Sequence, residues 1–125
     1  MAKESVNEKI DRARIETSAE ELEKLAENKN KNVRGLVALN ENTPLSLLEK
    51  LSEDDETIVL QNLARNKSTP LSLLEKLINN ANTPTIALQY AVENPNMPDS
   101  MIEKLEKDGF FEKSIYLKNP RSDGR

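Results

Sequence analysis

Apolar residues recur along this chain in short clusters of helical spacing, separated by polar corners. In TPLSLLEKL at 43–51, leucines at 45, 48 and 51, with Leu47 beside them, are expected on one helical face. The same nine residues stand again at 69–77. A second kind of cluster alternates with the first, as VRGLVALN at 33–40, TIVLQNLARN at 57–66 and TPTIALQYAVEN at 83–94. There Val33, Leu36 and Val37 stand in register with Val59, Asn62 and Leu63, and with Ala87, Tyr90 and Ala91. The small residues Ala38, Ala64 and Ala91 suit close helix approach. Links as brief as SEDDE at 52–56 predict tight antiparallel pairing of the two kinds of helix.

The pattern is periodic. Asn40 and Asn66, like Thr43 and Thr69, lie 26 positions apart. One period earlier, TSAEELEKL at 17–25 aligns Thr17, Leu22, Lys24 and Leu25 with Thr43, Leu48, Lys50 and Leu51. A step of 28 forward, MPDSMIEKL at 97–105 brings Pro98, Ile102, Lys104 and Leu105 into register. A fixed period of this size marks a stacked repeat protein, in which no unit buries enough apolar surface alone and each shares its core with its neighbours. The expected organisation is a single domain over 1–125: a capping helix at 1–16, repeats at 17–42, 43–68, 69–96 and 97–120, and a frayed tail at 121–125 within NPRSDGR.

Helix-end signals refine this. Thr43-Pro44 and Thr69-Pro70 read as an N-cap followed by proline at the first helical position. Thr17-x-x-Glu20 and Ser5-x-x-Glu8 read as capping boxes, the latter opening a polar helix over about 5–16 with Val6, Ile10 and Ala13 facing inward. Gly109 is placed as the residue that ends a helix in left-handed backbone, after which Phe110 and Phe111 fold over the last repeat.

The run from Val33 through Arg34, Val37, Ala38, Asn40, Thr43, Pro44, Leu47 and Leu48 to Leu51 resembles the unit of leucine-rich repeat variant proteins, V-R-x-x-V-A-x-N-x-x-T-P-x-x-L-L-x-x-L. Asn94-Pro95-Asn96-Met97-Pro98 and Asn119-Pro120 resemble its corner, and the likeness covers about residues 17–120. It implies an all-α, right-handed α-solenoid of stacked short helix pairs, one helix of each pair short and of α or 3₁₀ type, without strands. The family's founding type adds a Cys-rich iron–sulfur segment; this chain has no Cys, so no cofactor is carried over. The family implies no shared enzymatic activity, and related HEAT-like solenoids bind proteins or, in some cases, DNA.

Composition narrows the chemistry. Cys, His and Trp are absent, which leaves no thiolate site, no imidazole base and no disulfide framework. Gly occurs only at 35, 109 and 124, so no phosphate-cradling loop is present, and no nucleophile–base pair is evident. The expectation is a non-enzyme with no catalytic residues, cofactor or metal. A net charge of −4 argues against a nucleic-acid binder, which remains the alternative reading. The start, MAKESVNEKIDRARIE, lacks an apolar signal region, and no apolar run spans a bilayer. A cytoplasmic protein with no membrane contact is therefore expected, its oligomeric state left open.

Four features invite a functional reading. The column Asn40, Asn66, Asn94 and Asn119 suits a ligand ladder, but it tracks the corner and reads better as a turn residue bonding nearby backbone. Arg34 and Arg65 suit phosphate or carboxylate, yet Arg34 stands opposite Leu60 and Arg65 opposite Leu39, so no basic row forms. Glu53-Asp54-Asp55-Glu56 lacks the glycine and spacing of a Ca²⁺ loop and reads as a loop whose charge favours the next helix N-terminus. Tyr90 is either an interface anchor or a core filler. The candidate partner-binding face comprises Gln61, Asn62, Arg65, Gln89, Tyr90 and Glu93, polar or aromatic positions outside the apolar stripe of the second helices. It is expected to take a protein or peptide.

Overall fold

The computed structural model describes residues 3–121, and these residues form eight α-helices and no strand. The helices are α1 (Val6–Ile15), α2 (Ala19–Ala26), α3 (Lys31–Leu39), α4 (Leu45–Leu51), α5 (Thr57–Arg65), α6 (Leu71–Asn79), α7 (Thr85–Glu93) and α8 (Asp99–Lys107). All are too short, at seven to ten residues, to be stable in isolation. They persist because α1, α3, α5 and α7 pack in a continuous row, while α2 lies against α1 and α3, α4 against α3 and α5, and α6 against α7.

The core runs between the row and its partners. The row contributes mostly small or β-branched residues, Ala13, Val33, Val37, Ala38, Val59, Ala64, Ala87, Ala91 and Val92, with Leu60 and Leu63 of α5 as larger exceptions. The alternate helices contribute large ones, chiefly Leu22, Leu48, Leu74 and Ile102. Small residues let the row's helices approach closely while leucines fill the space behind them. The buried set on α4 is Leu47, Leu48 and Leu51, and on α6 Leu73, Leu74 and Leu77. Leu45, expected inside, is 52% exposed, whereas Leu71, which opens α6 at the same repeat position, is half-buried against the core. Val6 is likewise exposed; no earlier helix among the described residues covers that side of α1.

The TP corners work differently from the expected N-cap. Pro44 and Pro70 are themselves the N-cap residues, and the prolines' carbonyls accept the amides of Leu47 and Leu48, and of Leu73 and Leu74. Thr43 and Thr69 are buried and turn backward, donating their hydroxyls at 2.7 Å to Val37 and Leu63. The threonine hydroxyl thus shares a carbonyl in the last turn of the preceding helix with the amide of the corner asparagine, Asn40 or Asn66. Of the two capping boxes, that of Ser5 and Glu8 forms. At α2 the cap is Ser18, which accepts the Glu21 amide, while Thr17 is exposed.

The change of period from 26 to 28 has a visible cause. α4 ends at Leu51, whereas α6, from the same sequence LSLLEKL, runs on through Ile78 and Asn79. Both helix types are α; among the described residues the one 3₁₀ turn is Phe110–Glu112. Gly109 precedes it at φ 79°, Phe110 is buried and meets Phe111 edge-on, so this cap forms as read. The last repeat departs from expectation, because residues 113–121 do not make a second helix. Within the expected tail, Arg121 is bonded to the body, and residues 122–125 lie outside the described part.

Candidate functional site

Polar residues on the row divide into two sets, one turned into the stack and one left on its surface. The inward set is the asparagine column. Asn66 Nδ2 donates to the carbonyls of Ala38 (2.8 Å) and Asn40 (3.0 Å), and Asn94 Nδ2 to those of Ala64 (2.8 Å) and Asn66 (2.9 Å). Asn40 makes the equivalent bonds to Ala13 and Glu16. Each Oδ1 accepts the amide two residues on, from Asn42, Ser68 or Asn96, which holds the local corner as well. These side chains are buried and fully engaged, so they are inter-repeat rungs. Asn119 departs from the column: its amide meets the Glu106 carboxylate.

The six candidate face residues are not equivalent. Asn62 is 4% exposed and is removed from the face. It points back at α3 and donates to the Gly35 carbonyl at 2.9 Å, while its Oδ1 is buried without a partner. Glycine permits this contact: a Cβ at position 35 would stand 3.3 Å from Asn62 Nδ2 and from Ile58 Cγ1. The register, which sets Asn62 opposite Leu36 and Tyr90, gave no warning that a polar residue there would be covered.

Arg65 and Tyr90 are brought together. The exposed guanidinium lies 5.1 Å from the centre of the half-buried Tyr90 ring, which packs against the core. Arg65 makes no ion pair among the described residues. Stacking on an aromatic face orients a cation while leaving its donors turned to solvent. Gln61 is half-buried beside them on α5, and Glu93 is exposed one turn beyond Gln89. Gln89 donates to Glu93 (2.9 Å) and also exchanges two bonds with the main chain of Lys118, donating to its carbonyl at 3.0 Å and accepting its amide at 2.8 Å.

Apolar residues share this surface, a feature that a search restricted to polar and aromatic positions does not find. Ile58 and Ile86 occupy one register position, and Ile86 is 46% exposed. Leu39 stands where Arg65 and Glu93 stand in later repeats, and with Leu36, Arg14, Asn40, Glu41 and Asn42 it lines a cleft of about 360 Å³ between α1 and α3. The row's surface is therefore mixed, with isoleucine and leucine beside the Arg65–Tyr90 pair.

Arg34 belongs to the framework. Its Nε and Nη2 bind both oxygens of Asp54 at 2.7 and 3.3 Å, and Nη1 donates to the carbonyls of Asn28 and Lys29. Burial disfavours the charge on Asp54, but bonds from Arg34 and the Glu56 amide outweigh it and lower the carboxyl's pKa from its ordinary value. The Arg34 pKa is raised, chiefly by the same bond. Two neighbours in the acidic run are paired as well, Glu53 with Lys76 and Glu56 with Lys31. No group of three or more acidic side chains suited to a metal ion occurs among the described residues, and no helix there is long and apolar enough to cross a membrane.

No protein-family model, curated protein or solved structure matches the chain.

Proposed function

We propose that this chain is a non-enzymatic helical-repeat module, similar in its units to leucine-rich repeat variant proteins, that recognises a protein or peptide along the α5–α7 face. The observation that carries the reading is the Arg65–Tyr90 pair: an exposed cation, without an ion pair among the described residues, held on an aromatic ring, beside a part-exposed Ile86. An oriented cation next to exposed apolar surface suits a partner that offers a carboxylate and an aliphatic or aromatic side chain. The rigid row of four helices presents it without loops that need ordering on binding. The same lack of His, Cys and a glycine loop that argued against catalysis fits a binding role in the cytoplasm.

The test is capture of partners from lysate with wild type, Arg65→Glu and Tyr90→Ala, each checked for native helical circular dichroism, with and without nuclease. A partner held by wild type, lost by both variants and resistant to nuclease supports the reading. Binding unchanged in both variants would show that another surface is used. Recovery that vanishes with nuclease would replace the protein partner by nucleic acid.

A further inference from the structure

After α8 and the 3₁₀ turn the described chain continues as a non-helical peptide. By register, with Asn119 following Asn94 by 25 positions, residues 111–118 stand where the row's next helix belongs. They form a 3₁₀ turn and then a non-helical strap, with Ile115 and Tyr116 exposed at 85% and 73% and Leu117 buried at 5%. Three anchors seat the strap. Gln89 pairs with both the amide and the carbonyl of Lys118. Leu117 enters the core. Arg121 donates to the carbonyls of Val92 (3.3 Å) and Met97 (2.9 Å) and to Asp99 (2.7 Å).

Val92 stands where Ala38 and Ala64 stand, and their carbonyls receive asparagine rungs from the following repeat. The strap therefore supplies by an arginine what a further repeat supplies by an asparagine. None of this requires the strap to be helical or part of a repeat. A side-chain amide that pairs with a main-chain N–H and C=O reads any peptide backbone, while the buried leucine and the guanidinium add sequence.

We propose that this end of the row, from Gln89 to Asp99, is a binding site for a non-helical peptide of a partner protein carrying leucine and, four residues on, arginine, and that residues 114–121 hold it as an intramolecular competitor. The proposal rests on the α5–α7 face being a recognition surface, since Gln89 belongs to both. Tethering gives the strap an effective concentration on the order of millimolar, so an external peptide competes poorly until the strap is released.

The experiment is fluorescence anisotropy of a labelled peptide, KSIYLKNPR, titrated with the full chain. Lys118→Pro removes the amide that Gln89 accepts, Leu117→Asp expels the apolar anchor, and neither alters a helix. Both variants should bind the peptide at least tenfold tighter than wild type. Adding Gln89→Ala to Lys118→Pro should weaken binding at least tenfold, and a peptide with aspartate for leucine should not bind. The Arg65→Glu capture experiment reads the wider face without this peptide, so a failure there and a failure here are scored separately. Absence of peptide binding by a natively helical Lys118→Pro protein overturns the proposal. So does unfolding of both released variants, which would make the strap an inseparable part of the core. A dimer of wild type at assay concentration that exchanges straps would also overturn it, by making a second copy the occupant.

Discussion

The side-chain amide of Asn66 donates to the main-chain carbonyl of Asn40, the residue that holds the same place one repeat earlier. Asn94 does the same to Asn66. Each rung thus closes its own corner through Oδ1 and grips the previous corner through Nδ2. A carbonyl in the last turn of a short helix has no partner within that helix, and burial makes its neglect costly. The rung meets this need from outside the repeat, so stacking is specified by hydrogen bonds as well as by apolar contact.

The column's end offers the first prediction. Asn94→Ala removes both donors to α5 and its corner and strands the Asn96 amide. A loss of about 2–4 kcal/mol is expected in urea unfolding. Asn119→Ala breaks an exposed contact to Glu106 and a turn bond to Arg121, and should cost about 1 kcal/mol or less. Equal costs would mean that the rungs do not carry the stacking.

Asn62 offers the converse. Its amide finds Gly35 but its oxygen is buried unpaired, so the residue's bond is offset by a desolvation penalty. Asn62→Ala should change stability by no more than about 1 kcal/mol, although it removes a residue as buried as Asn94. A loss matching that of Asn94→Ala, read by the same urea melts, would refute the distinction.

Threonine hydroxyls make a second such pair. Thr69 donates at 2.7 Å to Leu63, and Thr69→Val should cost about 1–2 kcal/mol. Thr83, in the corner before α7, is also buried, but its hydroxyl has no partner among the described residues. Thr83→Val should be neutral or raise Tm, a direction that differential scanning calorimetry reads directly.

Acid should find Asp54. Its folded pKa lies below its ordinary value of 3.8, so the unfolded chain takes up the proton first as pH falls. The stabilisation is complete well above pH 4 and is lost as pH drops through the lowered folded value. Asp54→Asn should lower stability at pH 7 by about 1–2 kcal/mol and flatten the acid limb of a stability–pH curve below pH 4. An unchanged acid limb would remove the Arg34–Asp54 pair as a pH-dependent clamp.

Much of the stack is legible in the sequence. Fixed spacing of TPLSLLEKL placed the alternate helices, and the Ser5–Glu8 box and Gly109 were read correctly because both are local, chain-proximal signals. Three features escaped for one reason: local patterns do not reveal which neighbour a side chain turns to. Thr43 reads equally well as a cap for the helix after it, and only the fold sends its hydroxyl back to Val37. Asn62 looked like surface until Gly35 made room for it on the adjoining helix. Asn119 kept the column's letter while its helix gave way to a strap. At the candidate site, Arg65 and Tyr90 were chosen separately from the sequence; their stacking across two repeats depends on a register offset that no single-helix pattern contains.

Buried asparagine holds the repeats together, while exposed Arg65 belongs to the proposed recognition face. Side-by-side urea unfolding of Asn66→Ala and Arg65→Glu, neighbours in sequence, tests that division most directly. Asn66→Ala should lose about 2–4 kcal/mol, and Arg65→Glu about 1 kcal/mol or less, with the same m-value as wild type. The reverse order, with Arg65→Glu the more damaging, would contradict it.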